Sequence, residues 1–151
     1  MFAIPIRPAD QTDAEAITML IRRTLRVSNA ADYSVTEINR VYAGFSLERV
    51  LARIRNQDVF VAEIDGEIVG TGAYARGQLW ALFVSPERQR LGLGTLLVDH
   101  IEDFARQRGL EKLELSASLT GVEFYERLGY QRLGYFPHPS GATYAMAKAL
   151  A

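Results

Sequence analysis

The chain reads as an α/β domain built around a mixed sheet. Three observations point there. Strand-like runs alternate with amphipathic helical stretches along all 151 residues. The dipeptide Asp65-Gly66 joins two such runs as a tight hairpin. A glycine loop, Gln89-Arg90-Leu91-Gly92-Leu93-Gly94, carries an apolar strand into a helix.

Residues 3–7 read as a short strand. Thr12 and Glu15 have capping-box spacing, and Ile17, Leu20, Ile21 and Leu25 follow at helical intervals. Ser34 and Glu37 repeat the signal ahead of Ile38, Val41, Tyr42 and Phe45. Leu47, Val50, Leu51 and Ile54 form a third apolar stripe beyond Gly44, either a continuation or a separate turn. Runs 58–64 and 67–75 are β-rich and flank the Asp65-Gly66 turn, and a third run, 79–84, pairs with them. The helix after the glycine loop carries Leu93, Leu97, Ile101 and Phe104 on one face and ends at Gly109, behind Arg106 and Arg108. Residues 112–116 read as a strand, and 119–128 as a short helix stopped by Gly129. Strands near 130–136 and 142–149 flank the turn Pro137-His138-Pro139-Ser140-Gly141. No repeat, low-complexity tract or linker interrupts the order, which predicts a single domain over 1–151.

Composition narrows the function. Apolar residues make up 48% and charged residues 23%, a globular balance, and no run is long and apolar enough to span a membrane. The start, Met1-Phe2-Ala3-Ile4-Pro5-Ile6-Arg7, lacks the features of a signal peptide, so a cytoplasmic location is expected. The absence of cysteine agrees, and excludes disulfides, thiol catalysis and cysteine metal sites. His100 and His138 stand apart with no carboxylate cluster at ligand spacing, so no metal is expected. A net charge of -1 argues against nucleic acid as a partner.

The glycine loop is suited to an anion. Gly92 and Gly94 let the backbone turn without a Cβ, so successive N–H groups converge on phosphate oxygens at the positive end of a helix. It is not a dinucleotide turn: the third glycine position is Leu97, and three strands already precede it. Nor is it a nucleoside-triphosphate loop, which would end in Gly-Lys-Ser or Gly-Lys-Thr. Alone, the loop reads better as a plain strand-to-helix turn.

A second signature changes that reading. The segment from Leu82 through Val84-Ser85-Pro86 to Gln89-Arg90-Leu91-Gly92-Leu93-Gly94 resembles the cofactor loop of the GNAT superfamily of acetyl-CoA-dependent N-acetyltransferases. Downstream, Phe124-Tyr125-Glu126-Arg127-Leu128-Gly129-Tyr130 is similar to that family's Tyr-Glu-basic-x-Gly-aromatic helix, and Ile6-Arg7-Pro8-Ala9-Asp10 to a common family beginning. The resemblance covers essentially the whole chain. It implies the acyl-CoA N-acyltransferase fold, a twisted mixed sheet of about seven strands flanked by helices in the order β-α-α-β-β-β-α-β-α-β-β.

It also implies roles for particular positions. Backbone N–H groups from Gln89, Arg90, Leu91, Gly92, Leu93, Gly94 and Thr95 would hold the CoA pyrophosphate, with Arg88 and Arg90 adding charge. Main-chain groups of Phe83 and Val84 would pair with the pantetheine arm, lying like a strand where two core strands splay apart. Ser118 stands where the family often has an asparagine that bonds this arm, and Gly121 replaces a common alanine. Tyr125 would stand near the thioester sulfur and donate a proton as CoA leaves; the alternative is a core tyrosine, between Val122 and Leu128.

The acceptor half is less defined. Many family members place a glutamate base where this chain has Trp80. Glu114, His100 and His138 are the remaining candidates, each with an ordinary surface or packing role as its alternative. Tyr33, Tyr42, Phe45 and Trp80 are candidates for an aromatic wall, with Tyr33 and Trp80 as the substrate-binding pair. The expected partner is a small-molecule or peptide amine, and the fold admits a homodimer. The expected reaction is direct transfer from acetyl-CoA within a ternary complex. The alternative is an acyl-CoA-binding sensor or interaction module with little catalytic activity.

Overall fold

A computed structural model describes residues 4–150. Its strands are β1 (Ile6–Pro8), β2 (Asp58–Ile64), β3 (Glu67–Ala75), β4 (Gln78–Val84), β5 (Lys112–Ser118), β6 (Gln131–Phe136) and β7 (Thr143–Ala149). The helices are α1 (Ala14–Thr24), α2 (Val35–Ala43), α3 (Leu47–Asn56), α4 (Leu93–Gln107) and α5 (Val122–Arg127). The strands make one sheet in the order β1-β2-β3-β4-β5-β7-β6, parallel only at β4–β5. This is the mixed α/β architecture the element order predicts.

Local chemistry accounts for most boundaries. Asp65 and Gly66 both take positive φ, 51° and 78°, the geometry of a two-residue hairpin turn whose twist suits the strands it joins. Ser34 and Glu37 form the expected capping box of α2, through Glu37 N–H to Ser34 Oγ at 3.1 Å and Ser34 N–H to Glu37 Oε1 at 2.9 Å. The third apolar stripe is a helix of its own, α3, capped by Ser46 Oγ accepting from Arg49 N–H.

Three boundaries differ from the sequence reading. The first strand begins at Ile6 rather than at residue 3, and Ala3 lies outside the described residues. It ends on Pro8, which is tolerated because β1 is an edge strand. The first cap is Asp10 with Asp13 rather than Thr12 with Glu15. Asp10 Oδ1 accepts the Thr12 N–H and Asp13 Oδ2 accepts the Asp10 N–H, while Arg7 holds Asp13 in place from the neighbouring strand. Finally, α1 does not stop at Leu25 but widens into a π-helical turn over Leu25–Asn29, a distortion often found beside functional sites.

The sheet is covered on both faces. Along β2, Val59 and Val61 turn toward α1, α2 and α3, where Ile17, Ile21, Ile38 and Val50 meet them. Phe60 joins the opposite core with Val98, Ile101 and Ala105 of α4, and Ala62 packs with Leu93 and Leu97. The alternation follows from the two-residue period of a strand. One charge is buried in this layer: Glu102, 3% exposed, is held by Lys148 Nζ at 3.0 Å and by the Tyr130 hydroxyl at 2.9 Å.

The central strands do not stay together. β4 and β5 pair only at Gln78↔Glu114 and Leu79↔Leu115. Beyond that point β5 continues its ladder with β7 up to Ser118↔Thr143, while β4 stays with β3. The β3–β4 register steps from Ala73↔Trp80 to Thr71↔Phe83, leaving an extra residue on β4, where Ala81 takes φ 51°. Such a bulge bends its strand. Here the bend leads away from β5 and opens the middle of the sheet.

Candidate active site

The opening between β4 and β5 belongs to a cavity of about 1020 Å³, with the glycine loop at one end and α2, α3 and the β6–β7 turn at the other. Phe83, Val84, Gln89, Arg90, Gly92, Leu93, Gly94, Thr95, Ser118 and Tyr125 all line it, as do Tyr33 and Trp80. Leu91 does not: its side chain is on the surface, 55% exposed.

At the loop, two left-handed residues alternate with ordinary ones, Arg90 at φ 72° and Gly92 at φ 77°. Alternation of this kind curls successive N–H groups into a concave anion nest. Gly92 is also the N-cap of α4, with no side chain capping the helix. Leu96 N–H bonds back to the Gly92 carbonyl at 3.0 Å, so the N–H groups of Leu93, Gly94 and Thr95 have no acceptor within the helix. Gln89 Nε2 donates to Ser28 Oγ at 3.0 Å and ties the loop to the π-helical turn. Arg90 makes no ion pair among the described residues, whereas Arg88 faces Glu67 at 3.6 Å. Gly94 has a second reason to be glycine, since a Cβ there would stand 3.0 Å from Cζ of Phe124.

Phe124 begins the other half of the site. Its ring meets Tyr125 edge-on at 5.1 Å, and Tyr125 meets Tyr130 at 5.7 Å. Tyr125 is therefore both packed, 8% exposed, and on the cavity wall. Burial pushes its phenol pKa up, so the group stays protonated across the physiological range. Ser118 Oγ accepts from Gly121 N–H at 3.2 Å, shaping the turn into α5 and leaving its own O–H to donate.

At the acceptor end the expected aromatic wall is only partly formed. Tyr33, Phe45 and Trp80 line the cavity. Tyr42 does not: the guanidinium groups of Arg22 and Arg26 lie over its ring at 4.2 Å and 4.8 Å, and these cation–π contacts hold it against α1. The Tyr33 hydroxyl is already engaged, accepting from Leu119 N–H and donating to the Ala142 carbonyl. The Trp80 indole N–H points to the Ala75 carbonyl at 3.4 Å.

None of the candidate bases reaches the cavity. Glu114 pairs with Lys112 at 3.2 Å outside it, His100 packs edge-on against Phe60 at 4.7 Å, and His138 is not on the wall. Among the described residues no Asp, Glu or His lines the cavity, and its charged side chains are Arg53, Arg90 and Arg127. Arg53 was not singled out from the sequence. The signal available was its place on α3 among Val50, Leu51 and Ile54, an arginine set into an apolar stripe.

Residues 22–130 match the model of the Acetyltransferase (GNAT) family. The chain belongs to the GNAT family. A relative, the S-(2-succino)cysteine N-acetyltransferase of Bacillus subtilis, is 30% identical over 104 residues, covering 58% of this chain and 63% of that protein. Against relatives such as this one, camello of Xenopus tropicalis and the ribosomal-protein-bS18 alanine N-acetyltransferase of Escherichia coli, this GNAT chain spans 44% to 63% of the other protein's length. Its fold is that of a GCN5-related N-acetyltransferase from Rhodopseudomonas palustris, with a TM-score of 0.91 at 24% identity and coverage of 99% and 97% of the two chains. The PaiA N-acetyltransferase of Thermoplasma acidophilum, solved with coenzyme A, superposes with a TM-score of 0.85 at 20% identity, covering 98% of this chain and 99% of that one. Among the described residues no helix is long and apolar enough to cross a membrane.

Proposed function

We propose that this GNAT domain transfers an acetyl group from acetyl-CoA to a primary amine by direct attack within a ternary complex. The observation that carries the reading is the single cavity that joins an anion nest at Arg90–Thr95 to the protonated phenol of Tyr125. Acetyl-CoA supplies the activated thioester carbonyl. The nest, with Arg90 within it and Arg127 on the same cavity wall, meets the charge of the pyrophosphate. The edge of β4 at Phe83 and Val84, unpaired with β5, offers main-chain groups to an extended arm. Support also comes from relatives named as N-acetyltransferases and from the coenzyme A found with the PaiA neighbour.

In this reading Tyr125 donates to the sulfur as the thiolate departs. A buried phenol with a raised pKa is a protonated donor throughout the working range. A lysine-like amine is neutral in only on the order of one part in a thousand at pH 7, so its proton must leave before attack. With no carboxylate or imidazole on the wall, water in the cavity carries that proton away. The chain has no cysteine, so no acyl-cysteine intermediate forms.

The missing base also favours a second reading, an acyl-CoA-binding module with little catalysis. Thiol release from acetyl-CoA across a panel of amines separates the two, with Tyr125→Phe as the control. Turnover that falls about 100-fold in the variant supports transfer. Binding of CoA without thiol release from any amine supports the binding module instead.

A further inference from the structure

The acceptor end of the cavity holds a positive charge that the protein does not balance. Arg53 projects from α3 one turn beyond the buried Val50, and its guanidinium carbon stands 4.9 Å from the centre of the Phe45 ring. Phe45 in turn meets Phe83 edge to face at 5.5 Å. The guanidinium is thus one aromatic ring away from the strand edge assigned to the donor.

Three other arginines near this end are engaged. Arg22 donates to the Phe45 carbonyl at 3.1 Å, Arg26 to the Tyr42 hydroxyl at 2.8 Å and Arg40 to the Pro139 carbonyl at 2.9 Å. Arg53 lines the cavity and makes neither a hydrogen bond nor an ion pair among the described residues. Burial works against its cation, and the charge of Arg49 adds to that. An arginine does not escape this cost by losing its proton, so its N–H donors call for an anion from outside.

We propose that Arg53 is the specificity-determining residue of the acceptor subsite, and that the acceptor is a small amine bearing a carboxylate. A carboxylate matches the guanidinium fork with two parallel hydrogen bonds, and the apolar wall makes that pairing stronger than in water. A polyamine or other polycation is disfavoured, because it would meet Arg53, Arg90 and Arg127 with no acidic side chain on the wall to hold it. Small size follows from the closure of this end. Arg40 ties α2 to the turn before β7, and Tyr33 ties the segment before α2 to the same turn and to the end of β5. The inference rests on the acetyl-transfer reading of the same cavity.

The test compares amino carboxylates with their methyl esters and decarboxylated amines, using the wild type, Arg53→Gln and Arg53→Lys. The readouts are thiol release and calorimetric binding of the amino carboxylate to the CoA-saturated protein. The wild type is expected to prefer the carboxylate by about 10- to 100-fold in kcat/KM. Arg53→Gln should bring that ratio close to unity, mainly through KM, with Arg53→Lys in between. CoA binding and thermal unfolding check that each variant is folded. Equal rates on acid and ester, an unchanged ratio in Arg53→Gln, or a preference confined to peptide amines would overturn the inference and leave acetyl transfer standing. Arg53-dependent binding of the carboxylate without turnover on any amine would uphold the inference and overturn acetyl transfer.

Discussion

Tyr33 reaches across the cavity to Leu119, its phenol oxygen accepting the Leu119 N–H at 2.6 Å while its proton goes to the Ala142 carbonyl at 2.8 Å. One side chain thereby joins the segment before α2, the end of β5 and the turn before β7. Its ring fits against Gly141, where a Cβ would collide with Cδ1 of Tyr33. Tyr33→Phe keeps the ring but leaves a backbone donor and a backbone acceptor without their partner. It should cost about 1–3 kcal/mol in urea unfolding and raise KM for the amine more than it changes kcat. Unchanged stability together with an unchanged KM would show that the three segments are held by something else.

Gly94 and Phe124 are predicted to be coupled. A Cβ at 94 meets the Phe124 ring at 3.0 Å, so Gly94→Ala forces the ring or the start of α4 to move. We expect Gly94→Ala to destabilise the domain by about 1–2 kcal/mol, with part of the loss recovered in the Gly94→Ala, Phe124→Leu double variant. A coupling energy near zero in the double-mutant cycle would remove the packing explanation for this glycine. CoA affinity measured on the same four proteins then reports the cradle itself, separate from the packing.

The pH profile should be one-sided. The attacking amine must lose a proton, so kcat/KM rises with pH until the amine is neutral. Tyr125 must keep its proton, and burial raises its pKa above the ordinary phenol value. Its loss of activity therefore falls on the alkaline side of about pH 10. A falling limb below pH 9 that disappears in Tyr125→Phe would contradict the raised pKa.

Lys148 is expected to matter more for folding than for chemistry. It faces the carboxylate of Glu102, which is buried between α4 and β7 and also held by the Tyr130 hydroxyl. Lys148→Met leaves that charge inside with fewer partners, at a cost of about 3 kcal/mol. Lys148→Met combined with Glu102→Gln should be more stable than Lys148→Met alone, because the uncompensated charge is gone. Thermal denaturation of the two variants decides the point.

Much of the fold was legible in the chain because it is written in short-range patterns. A 3.6-residue period marks α4 through Leu93, Leu97 and Ile101, and a two-residue period divides Val59 and Val61 from Phe60 and Ala62. Ser34 with Glu37 and Asp65 with Gly66 act through atoms a few residues apart, so neighbouring sequence suffices to predict them. The cap at Asp10 escapes local pattern because Arg7, from the adjacent strand, fixes Asp13 as the partner.

The donor end was legible for a similar reason. It is one continuous loop whose backbone does the binding, and the order of residues sets where its glycines fall. The acceptor end is assembled from α2, α3, β4 and the turn before β7, which lie far apart in the chain. Nothing local announces that β4 bulges at Ala81, that β5 leaves it after Leu115, or that Tyr42 turns to the arginines of α1 instead of the cavity. Nor does the sequence tell a surface arginine from Arg53, whose character depends on which partners are missing around it. The sequence by itself determined the elements, the loop and the family. The tertiary structure decided the cavity, the absence of a base on its wall and the unbalanced charge at its acceptor end, because these depend on strand register and on which distant side chains come together.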